Sequence, residues 1–219
     1  MDNMRIKGVI FDADGTLLDS MYFWNNTVFD MLKEFGITPD DDIIKILTPM
    51  SMFEGAVYLK NKYDFSISPE EFVEKENRIV EKFYSSSVNL KHGVLDIIKM
   101  LKANSIPMTV ASATDKYLIE KALIHNEIID YFNAIVSCSD VGEGKSSPAV
   151  FHKARSFLNT DISETAVVED SPDALCTAKN AGYITVGIFD KTHSSDLHKE
   201  ICDIWFPTEF DINVFARYV

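Results

Sequence analysis

The chain has 219 residues, and its apolar fraction of 46% and charged fraction of 25% are ordinary for a globular protein with one core, or with a core and a smaller insert. The formal net charge of −13 argues against nucleic acid or an anionic membrane as a partner, because both would be repelled. Three widely spaced cysteines exclude a disulfide framework and a structural zinc site. Without a membrane-spanning apolar run or a signal-peptide core, we expect a cytoplasmic protein that acts as a monomer.

Short apolar runs recur along the chain and predict the strands of a parallel sheet that is covered on both faces. Amphipathic patterns between the later runs, at 117–124, 149–158 and 174–181, predict the helices of βαβ units. The sequence therefore predicts an α/β fold with a Rossmann-like, doubly wound parallel sheet. The predicted strands span 7–11, 108–111, 134–138, 166–168, 184–189 and 204–206.

A long segment between the first two predicted strands contains only helical patterns. Ser68-Pro69-Glu70-Glu71 has the serine and glutamate of a capping box, with proline at the first helical position. We therefore predict an inserted all-helical cap domain over 19–91, and a core domain formed by 1–18 and 92–219. The alternative is that these helices simply pack on the sheet.

Two carboxylates follow the first predicted strand, in Asp12-Ala13-Asp14-Gly15-Thr16. Like charges this close repel each other and raise each other's pKa, so a bound metal ion, a phosphoryl group or both would relieve the repulsion. A polar turn is the alternative interpretation, since Asp and Gly are ordinary turn residues. The later segments of the chain favour the functional interpretation.

Polar residues follow three further predicted strands. Ser112 follows the second strand, Lys145 lies before the predicted helix start at Ser147-Pro148, and Glu169-Asp170 follows the fourth. Gly144-Lys145-Ser146 looks like the end of a P-loop, but position 139, where the first glycine should lie, is a serine, which argues against a nucleotide site. In a doubly wound sheet all these strand ends meet at one edge, where carboxylates suit Mg²⁺.

This ordered set resembles the haloacid dehalogenase superfamily, in its phosphatase and phosphomutase branch with a helical cap. Asp12–Thr16 resembles the first motif, Ser112 the second, Lys145 the third and Glu169-Asp170 the fourth. The chain departs from the family pattern at His92, where proline is frequent, and at 146–148, where the family often has Pro-x-Pro. These are supporting positions, so the chemical assignment does not depend on them.

The resemblance implies a role for each motif. Asp12 would be the nucleophile that forms an aspartyl-phosphate, and Asp14 the general acid and base. Mg²⁺ would be held by the side chains of Asp12 and Asp170 and the backbone carbonyl of Asp14, with Glu169 acting directly or through water. Lys145 and Ser112 would offset charge on the phosphoryl group, and backbone donors near Ala13 and Ala113 would assist.

The resemblance also implies that the cap selects the substrate, with Trp24 and Met52 as candidate binding residues. In the β-phosphoglucomutase relatives, an arginine that grips a second phosphate stands where this chain has Met52. Its absence favours a phosphatase acting on a small sugar- or polyol-phosphate-like metabolite over a phosphomutase. A non-catalytic sugar-phosphate sensor stays open. A receiver-type signalling module does not fit, because it lacks a cap and carries its phosphorylated aspartate after a later strand.

Overall fold

The structure is a computed structural model that describes residues 5–191 and 200–219. In these ranges, the strands are β1 (Gly8–Phe11), β2 (Met108–Ser112), β3 (Ala134–Ser137), β4 (Thr165–Glu169), β5 (Ile184–Ile188) and β6 (Ile204–Phe206). They form one parallel sheet in the order β3-β2-β1-β4-β5-β6. All the predicted strands are confirmed, with ends that shift by at most one residue.

The central strand β1 is apolar throughout because both of its faces are covered. Val9 and Phe11 belong to an apolar cluster on one side of the sheet, and Ile10 belongs to a second cluster on the other side. Phe11 is aligned with a residue of each neighbouring strand, Val110 of β2 and Val168 of β4. This register brings the carboxyl ends of three adjacent strands to one edge.

The segment between β1 and β2 is helical, and the predicted cap is confirmed as part of the fold class. Its helices are α1 (Met21–Glu34), α2 (Ile43–Leu47), α3 (Met52–Tyr63) and α4 (Pro69–Tyr84). The predicted capping box of Ser68 and Glu71 starts α4, and a second one, formed by Ser51 and Glu54, starts α3. The cap has an apolar cluster drawn from its own helices and loops, which includes Val28, Met31, Leu32, Ile43, Leu59, Phe65 and Phe72.

The two segments that connect the cap to the core are adjacent and hydrogen-bonded to each other. The Asp19 amide donates to the Asn89 carbonyl at 2.9 Å, and the Lys91 amide donates to the Leu17 carbonyl at 2.9 Å. These backbone bonds lie where the domain boundaries are predicted, at 18/19 and 91/92. The exact boundaries stay predictions.

The later helices are α5 (Val94–Ala103), α6 (Lys116–His125), α7 (Ala149–Arg155), α8 (Pro172–Asn180) and α9 (Ile212–Phe215). The predicted end of α7 at 158 is wrong. The chain turns after Arg155, whose carbonyl accepts from the Leu158 amide at 2.9 Å, and Asn159 adopts a φ of 56°. Within the described residues, no helix is long and apolar enough to span a membrane.

Candidate active site

The candidate site lies at the carboxyl edge of the sheet. Asp12 directly follows β1, Ser112 is the last residue of β2, and Glu169 is the last residue of β4. Gly15 allows the first loop to approach the fourth, because its φ is +82° and a Cβ there would lie 2.1 Å from Oδ2 of Asp170. The Thr16 hydroxyl also donates to Oδ1 of Asp170, at 3.5 Å.

Lys145 reaches this edge from the loop between β3 and α7. Its ammonium group donates to Oδ1 of Asp12 and to Oε1 of Glu169, and all three side chains are buried. Burial by itself lowers the pKa of Lys145, but the carboxylates of Asp12 and Glu169 outweigh it and raise the pKa above its ordinary value. The lysine is therefore a permanent positive charge in the site.

Three carboxylates lie close enough together to hold a metal ion. Oxygen atoms of Asp12, Glu169 and Asp170 lie within 4.8 Å of one another. Oδ2 of Asp12 is buried and has no hydrogen-bond partner among the described residues. The pKa of Asp12 is raised by burial and then by the charge of Glu169, against the opposing effect of Lys145. Buried carboxylate oxygens with excess negative charge are the donor set that Mg²⁺ prefers, so the residues fit the ion.

The Asp14 side chain points into a set of hydroxyl groups. Ser20 donates to its Oδ1 at 2.6 Å, the Tyr84 hydroxyl donates to the same oxygen, and Thr114 donates to Oδ2 at 2.8 Å. The Trp24 indole in turn donates to the Tyr84 hydroxyl at 2.9 Å. These contacts fix the orientation of the Asp14 carboxylate from both the core and the cap.

Sequence reasoning missed Ser20, Tyr84 and Thr114 as partners of Asp14. Thr114 stands in the Ser112-Ala113-Thr114 segment, and its position at a strand end was a usable signal. Tyr84 lies at the end of a cap helix, 70 residues from Asp14 along the chain, and no sequence pattern connects the two.

The remaining predicted residues differ in their surroundings. The Ser112 hydroxyl accepts from the Thr114 amide at 3.1 Å and lines a cavity, as do Ala113, Trp24 and Met52. Ala13 is fully buried, and its carbonyl accepts from the Leu17 and Leu18 amides at 2.9 and 2.8 Å. Ala13 is not among the described residues that line the cavity.

The cavity lies between the cap and the core and has a volume of about 130 Å³. Its core side is formed by the charged residues described above together with Ser112, Ala113, Thr114 and Ser171. Its cap side is mostly apolar, and of the described residues lining the whole cavity only Lys145 is cationic. The cap-side residues are Met21, Trp24, Asn25, Val28, Ile44, Leu47, Thr48, Met50, Ser51, Met52, Gly55, Ala56, Leu59, Phe72 and Glu76.

The cap makes direct contacts with the core around this cavity. The Lys145 amide donates to the Pro49 carbonyl at 2.7 Å, and the Asn77 amide group donates to Asp115 at 3.1 Å. A Cβ on Gly144 would lie 2.5 Å from the Pro49 carbonyl oxygen. The lysine loop is therefore seated against the cap in this arrangement.

Comparisons with known proteins identify a family and several relatives of this chain. A family model described as "Haloacid dehalogenase-like hydrolase" matches residues 9–188 of this chain. The chain is 30% identical over 207 residues to (DL)-glycerol-3-phosphatase 2 of Arabidopsis thaliana, covering 90% of this chain and 85% of that one. It is 27% identical over 194 residues to the β-phosphoglucomutase of Bacillus subtilis, covering 84% and 83%.

A solved structure, CbbY from Rhodobacter sphaeroides in complex with phosphate, shares the fold with a TM-score of 0.84 at 20% identity, over 97% of this chain and 99% of that one. The predicted resemblance, the fold class and the prediction of an enzyme of the phosphatase class are thereby confirmed. The chain belongs to the family of haloacid dehalogenase-like hydrolases.

Proposed function

We propose that this chain is a Mg²⁺-dependent phosphomonoester hydrolase that acts through an aspartyl-phosphate. The observation that carries the proposal is the environment of Asp12. Its Oδ1 is paired with Lys145, while its Oδ2 is buried without a partner among the described residues, beside the cavity. A buried carboxylate with an oxygen that no described residue engages is a suitable nucleophile.

The reaction has two steps. In the first, a carboxylate oxygen of Asp12 attacks phosphorus, the bond between phosphorus and the ester oxygen breaks, and Asp14 gives a proton to the departing alkoxide. In the second, a water molecule attacks the phosphorus of the aspartyl-phosphate while Asp14 accepts a proton from that water. Inorganic phosphate leaves, and the Asp12 carboxylate is restored.

The charges of the site support this sequence of steps. Lys145 and the Ser112 hydroxyl would offset the negative charge of the transferring phosphoryl group. Bound Mg²⁺ would add positive charge there, held by the side chains of Asp12 and Asp170 and the backbone carbonyl of Asp14, with Glu169 as a direct or water-mediated ligand. The donors from Ser20, Tyr84 and Thr114 would hold Asp14 in place for proton transfer.

We propose that the substrate is a small phosphorylated metabolite of the sugar- or polyol-phosphate type. The size of the cavity supports a small leaving group, and a relative named as a glycerol-3-phosphatase supports a polyol. The cytoplasmic location and monomeric state expected from the sequence stay predictions.

A phosphomutase is the second candidate, because one relative is named as a β-phosphoglucomutase. Met52 lines the cavity, and no described lining residue other than Lys145 is cationic, which argues against a grip on a second phosphate. Incubation with β-glucose 1-phosphate and a catalytic amount of the 1,6-bisphosphate distinguishes the two. Release of inorganic phosphate supports the hydrolase, and rapid formation of glucose 6-phosphate would overturn it.

The direct test is hydrolysis of p-nitrophenyl phosphate by the purified protein with Mg²⁺, with a chelator and with Mg²⁺ restored. We expect turnover that is lost with the chelator and recovered with the ion. Asp130→Asn is a control variant that should behave as the wild type, because Asp130 is exposed and is not among the residues that line the cavity. Binding of phosphorylated compounds without turnover would instead favour the sensor interpretation.

A further inference from the structure

Glu76 is a buried carboxyl group that the proposed reaction does not use. It lies on α4, is 6% exposed and lines the cap side of the cavity. It has no hydrogen bond or ion pair with any of the residues that the structure describes. A buried polar group without a partner costs free energy, so a group in this position needs a reason.

The Asn25 side chain is a second polar group in the cavity that the proposed reaction does not use. It lies on α1 and lines the same cavity, and its Oδ1 is buried with no partner among the described residues. The other polar side chains on the cap side are already engaged. Thr48 donates to the Ile44 carbonyl at 2.8 Å, and Ser51 accepts from the Glu54 amide at 3.2 Å. Glu76 and Asn25 are therefore the cap-side polar side chains for which no hydrogen bond to a described residue is seen.

The surroundings of Glu76 indicate an uncharged partner. No described cationic side chain lines the cap side, and burial together with the charge of Asp115 raises the pKa of Glu76 to about 8. At neutral pH the group is mostly protonated, so it can both donate and accept a hydrogen bond, as a hydroxyl group requires. A second anionic group would meet the carboxyl group without a cation to stabilise it.

We propose that Glu76 and Asn25 bind a hydroxyl group on the leaving group of the substrate, and that they thereby select phosphate esters of small polyols. The proposal rests on the proposed phosphatase function and narrows its substrate class. Esters with only alkyl groups would leave both side chains unsatisfied. Esters whose leaving group carries a carboxylate or a second phosphate would place an anion against Glu76. The apolar side chains around the pair, which include Val28, Leu59 and Phe72, would cover the carbon atoms.

The test compares kcat/KM for four esters of similar size: glycerol 3-phosphate, propyl phosphate, 3-phosphoglycerate and O-phosphoethanolamine. For the wild type we expect glycerol 3-phosphate to exceed propyl phosphate by about tenfold or more, because a site built for a hydroxyl rejects the analogue that lacks it. We expect 3-phosphoglycerate and O-phosphoethanolamine to be poorer substrates than glycerol 3-phosphate.

For the variants, the quantity measured is the ratio of kcat/KM for glycerol 3-phosphate to kcat/KM for propyl phosphate. Glu76→Leu should bring the ratio close to one, whereas Glu76→Gln, which can still donate and accept, should keep most of it. Glu74→Gln is the matched control, because Glu74 lies on the same helix, is exposed and pairs with Arg78, and its substitution should leave the ratio unchanged. If Glu76→Leu does not fold, Asn25→Leu tests the same pair of residues.

The outcomes separate the two proposals. A wild-type enzyme that hydrolyses the esters without preferring the hydroxyl, or whose preference survives Glu76→Leu, would overturn this inference and leave the phosphatase function standing. Preference for O-phosphoethanolamine would also overturn it, since the pair would then bind a cation. Failure to hydrolyse any ester, p-nitrophenyl phosphate included, would overturn the phosphatase function itself.

Discussion

The core side and the cap side of the cavity are built in opposite ways. On the core side, charged groups are paired or hydrogen-bonded: Lys145 pairs with Asp12 and Glu169, and Asp14 accepts from Thr114 of the core and from Ser20 and Tyr84 of the cap. On the cap side, mostly apolar residues surround Asn25, whose Oδ1 is buried without a hydrogen-bond partner among the described residues, and Glu76, which is 6% exposed. The first arrangement suits a fixed set of reacting groups. The second suits recognition of a ligand, because its unsatisfied groups gain a partner only when that ligand binds.

The largest expected effect is on the core side. Asp12→Asn removes the nucleophile with little change in volume, and we expect kcat to fall by about 10³-fold or more while the protein stays folded. Steady-state kinetics and thermal unfolding measure the two properties. More than a few per cent of residual activity in a preparation free of contaminating phosphatase would rule out Asp12 as the nucleophile.

A smaller loss is expected when the acid and base is removed. Asp14→Asn keeps the side-chain shape and the backbone carbonyl proposed for Mg²⁺, but it abolishes proton transfer, which is worth roughly 10²–10⁴-fold in rate. The loss should appear in kcat. A change confined to KM would mean that Asp14 binds substrate and does not move the proton.

The hydrogen bond from Tyr84 to Asp14 connects the cap to the core side of the site. Tyr84→Phe removes one of the two cap hydroxyl groups, those of Ser20 and Tyr84, that donate to Asp14 in the described residues, and it leaves the Trp24 indole without that acceptor. We expect kcat to fall by about tenfold, with a shifted pH profile, because Asp14 is held less firmly. An unchanged pH profile with a lower melting temperature would show that Tyr84 is only a packing residue.

The smallest expected effect is on stability and concerns Glu76. Its pKa rises from 4.5 in an unfolded chain to about 8 in the folded one because of burial and the charge of Asp115. The folded state therefore holds the proton more tightly, and the free energy of unfolding should fall as pH rises between these two values and stay level outside them. The total loss should be on the order of a few kcal/mol.

Glu76→Gln should remove this part of the pH dependence, whereas Glu74→Gln should keep it. Urea unfolding at several pH values measures both variants against the wild type. Parallel curves for the wild type and Glu76→Gln would mean that the carboxyl group is solvated in the folded protein.

The core side of the site could be predicted from sequence for a physical reason. Buried parallel strands must be apolar, so a carboxylate or hydroxyl at the end of such a run stands out, as Asp12, Ser112 and Glu169 do. The parallel arrangement then brings the strand ends to the same edge. Lys145 is the least obvious member, because it lies on a loop and a solvated lysine would have the same local sequence.

The cap side was harder to predict because the placement of its helices depends on tertiary packing. Trp24 and Met52 were proposed from the family resemblance, whereas Glu76 was missed because an acidic residue in a charged helix suggests a solvated face. A signal was present: Glu76 lies four residues after Phe72 and four before Val80, and both of these are buried. Helical spacing therefore places Glu76 on the inner face of α4.

Chemical trapping of the intermediate tests the role of Asp12 most directly. The enzyme is mixed with substrate and Mg²⁺, quenched during turnover and treated with borohydride, which reduces an aspartyl-phosphate to homoserine. Mass spectrometry of the peptide containing residue 12 should then show homoserine at Asp12, and no such product without substrate. Trapping at another aspartate, or turnover with no trapped product while Asp12→Asn stays active, would contradict the proposed mechanism.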